Sequence, residues 1–353
     1  MDQITALRET LRPHLGWHGA RLNFLALFLI ALIRVRTVNW AEIATGFCSK
    51  AEVESHYKRL QRFFRHYDVD ETAIARTIVR LLDIPQPWVL SIDRTEWKFG
   101  QTVFNILVLG VVHEGVAFPL VWTMLDKRGN SNTLERMQLL SRYLEAFGEV
   151  QVACLTADRE FVGQDWFSYL KAAPDTPFRI RIRENHCLFD GKRNLQVKTV
   201  FASLSVNQTR VLRKKRRLWG HWLYIAARRL EDGSLLVIAT QLKPHSAIDD
   251  YAQRWSIETL FGLLKTRGFC LESTHLRDSE RLSKMFALLG LAVAWAFSTG
   301  LWLHEQKPIK LKRHGRRAKS IFRLGLDRLR AIILNLDSRF DEFLQVTRFL
   351  SCT

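Results

Sequence analysis

The chain has 353 residues, 47% of them hydrophobic and 25% charged, which is enough apolar content for a sizeable core in two or three lobes and too much for a disordered chain. A formal net charge of +18 and an isoelectric point of about 10.1 point to a polyanionic partner, nucleic acid before membrane. The cysteines Cys48, Cys154, Cys187, Cys270 and Cys352 are scattered, odd in number and without C-x-x-C spacing, so neither a disulfide framework nor a zinc site is expected; nor is a signal peptide.

Residues 1–85 read as helical throughout. Residues 22–32 are nearly all apolar, and 56–65 set Lys58, Arg59, Arg62 and Arg65 among Tyr57, Phe63 and Phe64 on a basic aromatic helix. Residues 87–95 are a short apolar run closing on Asp93, the pattern of a buried strand that delivers one acid to its end. Residues 105–113 and 115–125 pair as antiparallel strands by pattern, and 133–147 read as a helix. A second apolar run then closes on Asp158, with Arg159 and Glu160 behind it. In a parallel or mixed sheet such strand ends line the crevice where ligands bind, so the two acids meet if their strands are neighbours. An Asp at a strand end is also a common turn former or helix cap. Glu96, Glu160 and Asp165 are nearby competitors: Glu96 reads as a surface charge, Glu160 as a support.

The interval from Asp158 to Glu258 is 258 − 158 = 100 residues, long enough to hold an insertion. Within it, 178–183, 209–214, 222–229 and 234–240 read as strands, with Asp232-Gly233 a hairpin turn between the last two. Residues 210–230 carry eight basic side chains and no acid, interleaved with Trp219, Trp222 and Tyr224; residues 307–330 carry ten against the single Asp327. Basic groups beside aromatic plates suit a DNA groove or a displaced base. Residues 285–303 are 19 positions without a charge, close to a bilayer span. With Gly290, Ser298, Thr299 and Gly300 inside and no second stretch of that length, the expectation is a wholly buried helix and no membrane.

Before that stretch, one helix would carry Tyr251, Arg254, Glu258 and Lys265 within a sector of roughly 60° at about 100° per residue. Ile257, Leu260, Phe261 and Leu264 fall in a neighbouring sector that would dock on a core. A carboxylate between an Arg and a Lys, one turn after a phenol, suits a metal ion beside a phosphate: the acid holds the cation and the other groups grip the anion. The plain alternative is an amphipathic helix with a solvated charged side. The order Y-x2-R-x3-E-x6-K resembles, without a gap, the motif of bacterial insertion-sequence transposases of family four, whose catalytic triad is Asp, Asp, Glu. D-x-T at Asp93 and Thr95, and D-R-E at Asp158, Arg159 and Glu160, resemble that family's other two blocks.

The resemblance implies an α/β, ribonuclease H-like catalytic domain at 86–183 and 241–303, with its first and fourth strands side by side. It also implies a β-rich insertion at 184–240, a helical DNA-end-binding region at 1–85, and a basic helical region at 304–353 for DNA contact or dimerisation. The implied metal ligands are Asp93, Asp158 and Glu258, holding two Mg2+ or Mn2+ ions, since hard oxygen donors select these over zinc. Tyr251, Arg254 and Lys265 would grip DNA phosphates, with Lys58, Arg59, Arg62 and Arg65 as candidates for end contacts. Trp222 or Trp219 would fill the space of a flipped base, although a sheet or core tryptophan reads the same way. The implied activity is metal-dependent cleavage and strand transfer of double-stranded DNA, at the element's terminal inverted repeats and a target, by cut-and-paste through a hairpin. A homodimer in a bacterial cytoplasm, at the chromosome, would assemble the ends. The alternatives are a nuclease that cuts with the same acids without joining, and an inactive DNA-binding protein whose acids are structural.

Overall fold

The computed structural model describes residues 2–47, 49, 51–172, 176–313 and 315–351. Cys48 and Cys352 lie outside these residues; Cys154, Cys187 and Cys270 are free thiols. In chain order, helices α1 (Gln3–Leu11), α2 (Gly19–Val35), α3 (Trp40–Thr45), α4 (Val53–His66) and α5 (Glu71–Leu81) lead into strands β1 (Trp88–Phe99), β2 (Thr102–His113) and β3 (Val116–Met124). Then come α6 (Thr133–Phe147), β4 (Val152–Ala157), α7 (Gln164–Lys171), β5 (Phe178–Ile182), β6 (Cys187–Phe189), β7 (Asn194–Gln196), α8 (Val197–Val200), β8 (Thr209–Val211), β9 (Arg216–Leu218), β10 (His221–Arg229) and β11 (Leu235–Thr240). The chain ends with α9 (Ala247–Ala252), α10 (Trp255–Gly262), a π turn at Leu263–Arg267, α11 (Ser279–Gln306), α12 (Ile321–Leu334) and α13 (Leu336–Arg348). Two compact units emerge: Met1–Ile84 with Trp97–Val103 and Phe261–Thr353, and Pro85–Glu96 with Phe104–Leu260.

The second unit is built on a sheet whose described strands run β3-β2-β1-β4-β5-β11-β10-β9-β6-β7, with β8 pairing to β10 off that path. β2 and β3 are antiparallel, while β1 pairs with β4, and β4 with β5, in parallel. This is the ribonuclease H-like order that the sequence leads one to expect, with the first and fourth strands adjacent. The near-continuous apolar run of β2 is buried over Phe104–Val111, as a strand covered on both faces requires. α6 begins with a reciprocal capping box between Asn132 and Glu135.

The strands of the 158–258 interval continue the central sheet through β5, β11 and β10. Gly233, at φ +82°, makes the turn between β10 and β11, a left-handed conformation that glycine adopts without Cβ strain. β6, β7 and β9 are three residues long each, too short to leave a period in the sequence.

Among the described residues the first unit is helical apart from the tip of the β1–β2 hairpin and an isolated bridge between Leu311 and Arg317. α2 is buried at Leu22 and from Phe24 to Ile33, and α11 carries the uncharged stretch. α11 is the one described helix long and apolar enough to cross a membrane, and 78% of its most apolar window is buried, as expected of a core helix. It crosses α12 where two glycines meet. A Cβ on Gly325 would lie 1.8 Å from the Ala296 carbonyl oxygen, and one on Gly300 2.0 Å from that of Ile321. Only hydrogens fit between these backbones.

Candidate active site

After a register shift between Trp88 and Val89, β1 and β4 run in step from Val89 opposite Cys154 to Ile92 opposite Ala157. The next residue on each is an acid, so Asp93 and Asp158 emerge side by side. The sequence suggests that the first strand ends at Asp93, whereas β1 continues to Phe99. β4 stops at Ala157, so Asp93 stands at the end of the ladder rather than the end of its strand.

Asp93 is the more enclosed acid. One carboxylate oxygen accepts from the Arg94 N–H at 2.8 Å and the other from Arg254 Nη1 at 3.0 Å. Burial pushes its carboxyl up to about 6; Asp158 and Glu160 add to this, while Arg254 and the Arg94 N–H oppose it. Asp158 accepts from the Tyr251 hydroxyl at 3.3 Å and lies 3.8 Å from Arg181 Nη1. Burial pushes the Tyr251 phenol up to about 12, so it remains a hydrogen donor at neutral pH.

Arg254 joins this pair to Glu258. Its Nη2 donates to Glu258 Oε1 at 2.5 Å while Nη1 holds Asp93, so one guanidinium fork spans two of the three acids. The residue is 3% exposed, against 42% for the Glu258 side chain. A solvated charged face is therefore excluded for Tyr251 and Arg254, both of which are buried.

The single continuous helix expected over 251–265 is not found. Between α9 and α10, Arg254 and Ile257 make i→i−3 bonds to Tyr251 and Arg254, a tight turn, and after Gly262 the helix widens into the π turn. Ile257, Leu260, Phe261 and Leu264 are buried as expected. Lys265 falls on the π turn in the first unit, where its ammonium meets Glu272 at 3.0 Å and the Trp97 ring at 5.0 Å.

Glu160 braces the two acid-bearing segments. Its carboxylate takes the Arg94 Nε at 2.9 and 3.2 Å and the Ser131 N–H and hydroxyl at 3.1 and 3.0 Å. Arg94 also reaches Glu96 and Asn130, and Glu96 accepts from the Gly129 N–H. The residue after Asp93 is thereby tied to the second residue after Asp158 and to the 129–131 loop. Glu96 belongs to this brace and is not merely a surface charge.

Three residues near the acids escape sequence reasoning: Arg94, Arg181 and Trp255. Arg181 had a signal, since Phe178-Arg-Ile-Arg-Ile sets Arg179 and Arg181 on one face of a strand by period two. Trp255 is 58% exposed, with the Arg254 guanidinium 4.9 Å from its ring centre. Trp222 is exposed on β10 and 6.4 Å from the Phe189 ring, whereas Trp219, at φ +45°, packs edgewise on His186 and Phe167. Arg62 and Arg65 are on the exposed side of α4, whose other side buries Leu60, Phe63 and Phe64.

Among the described residues, no three His, Cys, Asp or Glu side chains already form a group able to hold a metal ion. The donor set nonetheless fits a hard divalent cation: two neighbouring carboxylates, one held largely out of water, and a third one guanidinium away. Arg254 carries the positive charge among them.

The Asp93 carboxyl has a measurable signature. With its folded value raised above the model-peptide value, its protonated form favours folding; that contribution is full below about pH 4 and lost as the pH rises through about 6. In protein treated with chelator, melting temperature against pH should fall across this window relative to Asp93→Asn. The full effect is about 3 kcal/mol at most; parallel curves for the two proteins would disprove the burial of this group.

Residues 84–295, well over half of the chain, match the profile of the family described as Transposase DDE domain. No curated protein matches the chain. Among solved structures, a cryo-EM structure of a piggyBac transposase synaptic complex with hairpin DNA is similar at a TM-score of 0.45 and 12% identity, over 98% of this chain and 82% of that one.

Proposed function

Because the chain belongs to the transposase DDE domain family, whose members use divalent metal ions, we propose that it binds the terminal repeats of its own insertion sequence, cuts the DNA there and joins the freed ends to a target. The observation that carries this reading is the pairing of Asp93 and Asp158 at the end of one parallel ladder, with Glu258 linked to Asp93 through Arg254. In this reading Asp93, Asp158 and Glu258 hold the metal ions, two Mg2+ or Mn2+. When bound, such a pair activates the attacking oxygen and stabilises the leaving one in an in-line displacement.

The other residues serve the DNA. Tyr251, a neutral donor, and Arg254, a forked cation, are suited to phosphate oxygens, and Lys265 is assigned the same task. Trp255 and Trp222 offer exposed rings on which a base can stack; Trp219, packed on two rings, is the weaker candidate. Arg62 and Arg65 contact the backbone of the element's end. A homodimer in the bacterial cytoplasm holds the two ends, and excision passes through a hairpin.

The test is a strand-transfer assay with a duplex carrying an already cut end, Mn2+ and a supercoiled target. Joined product is expected. Cutting of intact ends without joined product from the cut ones would identify a nuclease instead. Binding of the end duplex should also weaken steeply with salt, as phosphate contacts require; affinity indifferent to ionic strength would contradict it.

A further inference from the structure

Every acid assigned to the metal is already engaged by this chain's own donors. Asp93 has one oxygen on the Arg94 N–H and the other on Arg254; Glu258 Oε1 is on Arg254; Asp158 Oδ1 is on Tyr251, with Arg181 near. The guanidinium that bridges two of the acids is 3% exposed, and its Nε has no hydrogen-bond partner. A group this buried, with one donor unsatisfied and two on acids, occupies a compromise position.

A guanidinium forked between two carboxylates competes with a divalent cation for them. The two cations repel at contact distance, and the guanidinium fills the space between Asp93 Oδ2 and Glu258 Oε1. Arg254 must withdraw for Asp93 and Glu258 to coordinate together. A buried guanidinium withdraws at low cost only towards another anion, and a DNA phosphate offers two oxygens to the same fork.

We infer that Arg254 is a resident counter-ion that closes the carboxylate site until a DNA phosphate draws it away, so that metal loading and DNA binding are coupled through this one side chain. The inference rests on the proposed function, because it takes Asp93 and Glu258 as metal ligands. The coupling is reciprocal: DNA tightens metal binding, and metal tightens DNA binding, by the same factor. Without DNA the site is kept from assembling a hydrolytic centre.

The experiment titrates Mn2+ by calorimetry into the full chain, alone and with a duplex carrying an already cut end, for the wild type, Arg254→Gln, Arg254→Lys and Asp93→Asn. The wild type should bind Mn2+ about tenfold more tightly with the duplex present. Arg254→Gln should bind Mn2+ about tenfold more tightly than the wild type without DNA, and gain little more when the duplex is added. Arg254→Lys, which retains the charge but cannot fork to both acids, should fall between. The expected gain runs against damage to the fold, since a misfolded variant loses affinity; Arg254→Lys still decides if Arg254→Gln fails to fold. Equal Mn2+ affinity of the wild type with and without DNA, or no gain in either Arg254 variant, overturns the inference. Mn2+ binding that persists unchanged in Asp93→Asn instead overturns the assignment of the metal ligands, and with it the proposed function.

Discussion

Asp93→Asn should abolish cleavage of an end duplex, with a loss of at least about a thousandfold in rate, while binding of that duplex, measured without divalent metal, stays within about threefold of the wild type. In the proposed function a metal pair's stabilisation of developing charge would be worth several kcal/mol, and removing one of its anionic ligands would forfeit most of that. Binding is expected to survive because Asn keeps the shape of Asp and its place beside Arg254, and the exposed basic residues proposed to meet the backbone are elsewhere. Gel-resolved single-turnover cleavage and mobility shift on the same preparations measure the two effects. Cleavage at the wild-type rate would move the chemistry away from the β1–β4 ladder. An inactive DNA-binding protein would have no cleavage to lose.

The second large effect is on stability. Gly325→Ala should cost about 3 kcal/mol or more, seen as a fall of roughly 10 °C in melting temperature, because the new methyl group meets a carbonyl oxygen 1.8 Å away on α11. The obstacle is backbone, so no rotamer change relieves it and the helices must separate along a buried helix of the first unit. Gly16→Ala is the control, since a Cβ there meets nothing within 4 Å. If the two variants melt together, the close crossing of α11 and α12 is wrong.

The placing of Asp93 and Asp158 was legible because each follows an apolar run that reads as a buried strand. Ile92 and Ala157 are the last residues in parallel register, and the acids come next in both segments. The arithmetic over Tyr251–Lys265 failed for a definite reason. A uniform turn of about 100° per residue presumes an unbroken α-helix, while the tight turn at Arg254 and the π turn after Gly262 each change the rotation. Arg254's double grip could not be foreseen, since it depends on Asp93, 161 residues earlier in the chain. The Glu160 brace likewise draws on three segments, and Gly300 and Gly325 show their purpose only once their helices are in contact. Short β6, β7 and β9 carry too few residues to display any alternation.

The continuity of the sheet makes it a ruler. Ala157 is aligned with Ile180, Ile180 with Ala239, and Ala239 with Ile225. Three strand steps of about 4.8 Å set β10 roughly 14 Å across from the strand that delivers Asp158. That span corresponds to about four nucleotide steps at roughly 3.4 Å each. Under the proposed function, a DNA strand reaching both β10 and the acids would meet them at an offset counted out in backbone hydrogen bonds, which side-chain replacements leave in place.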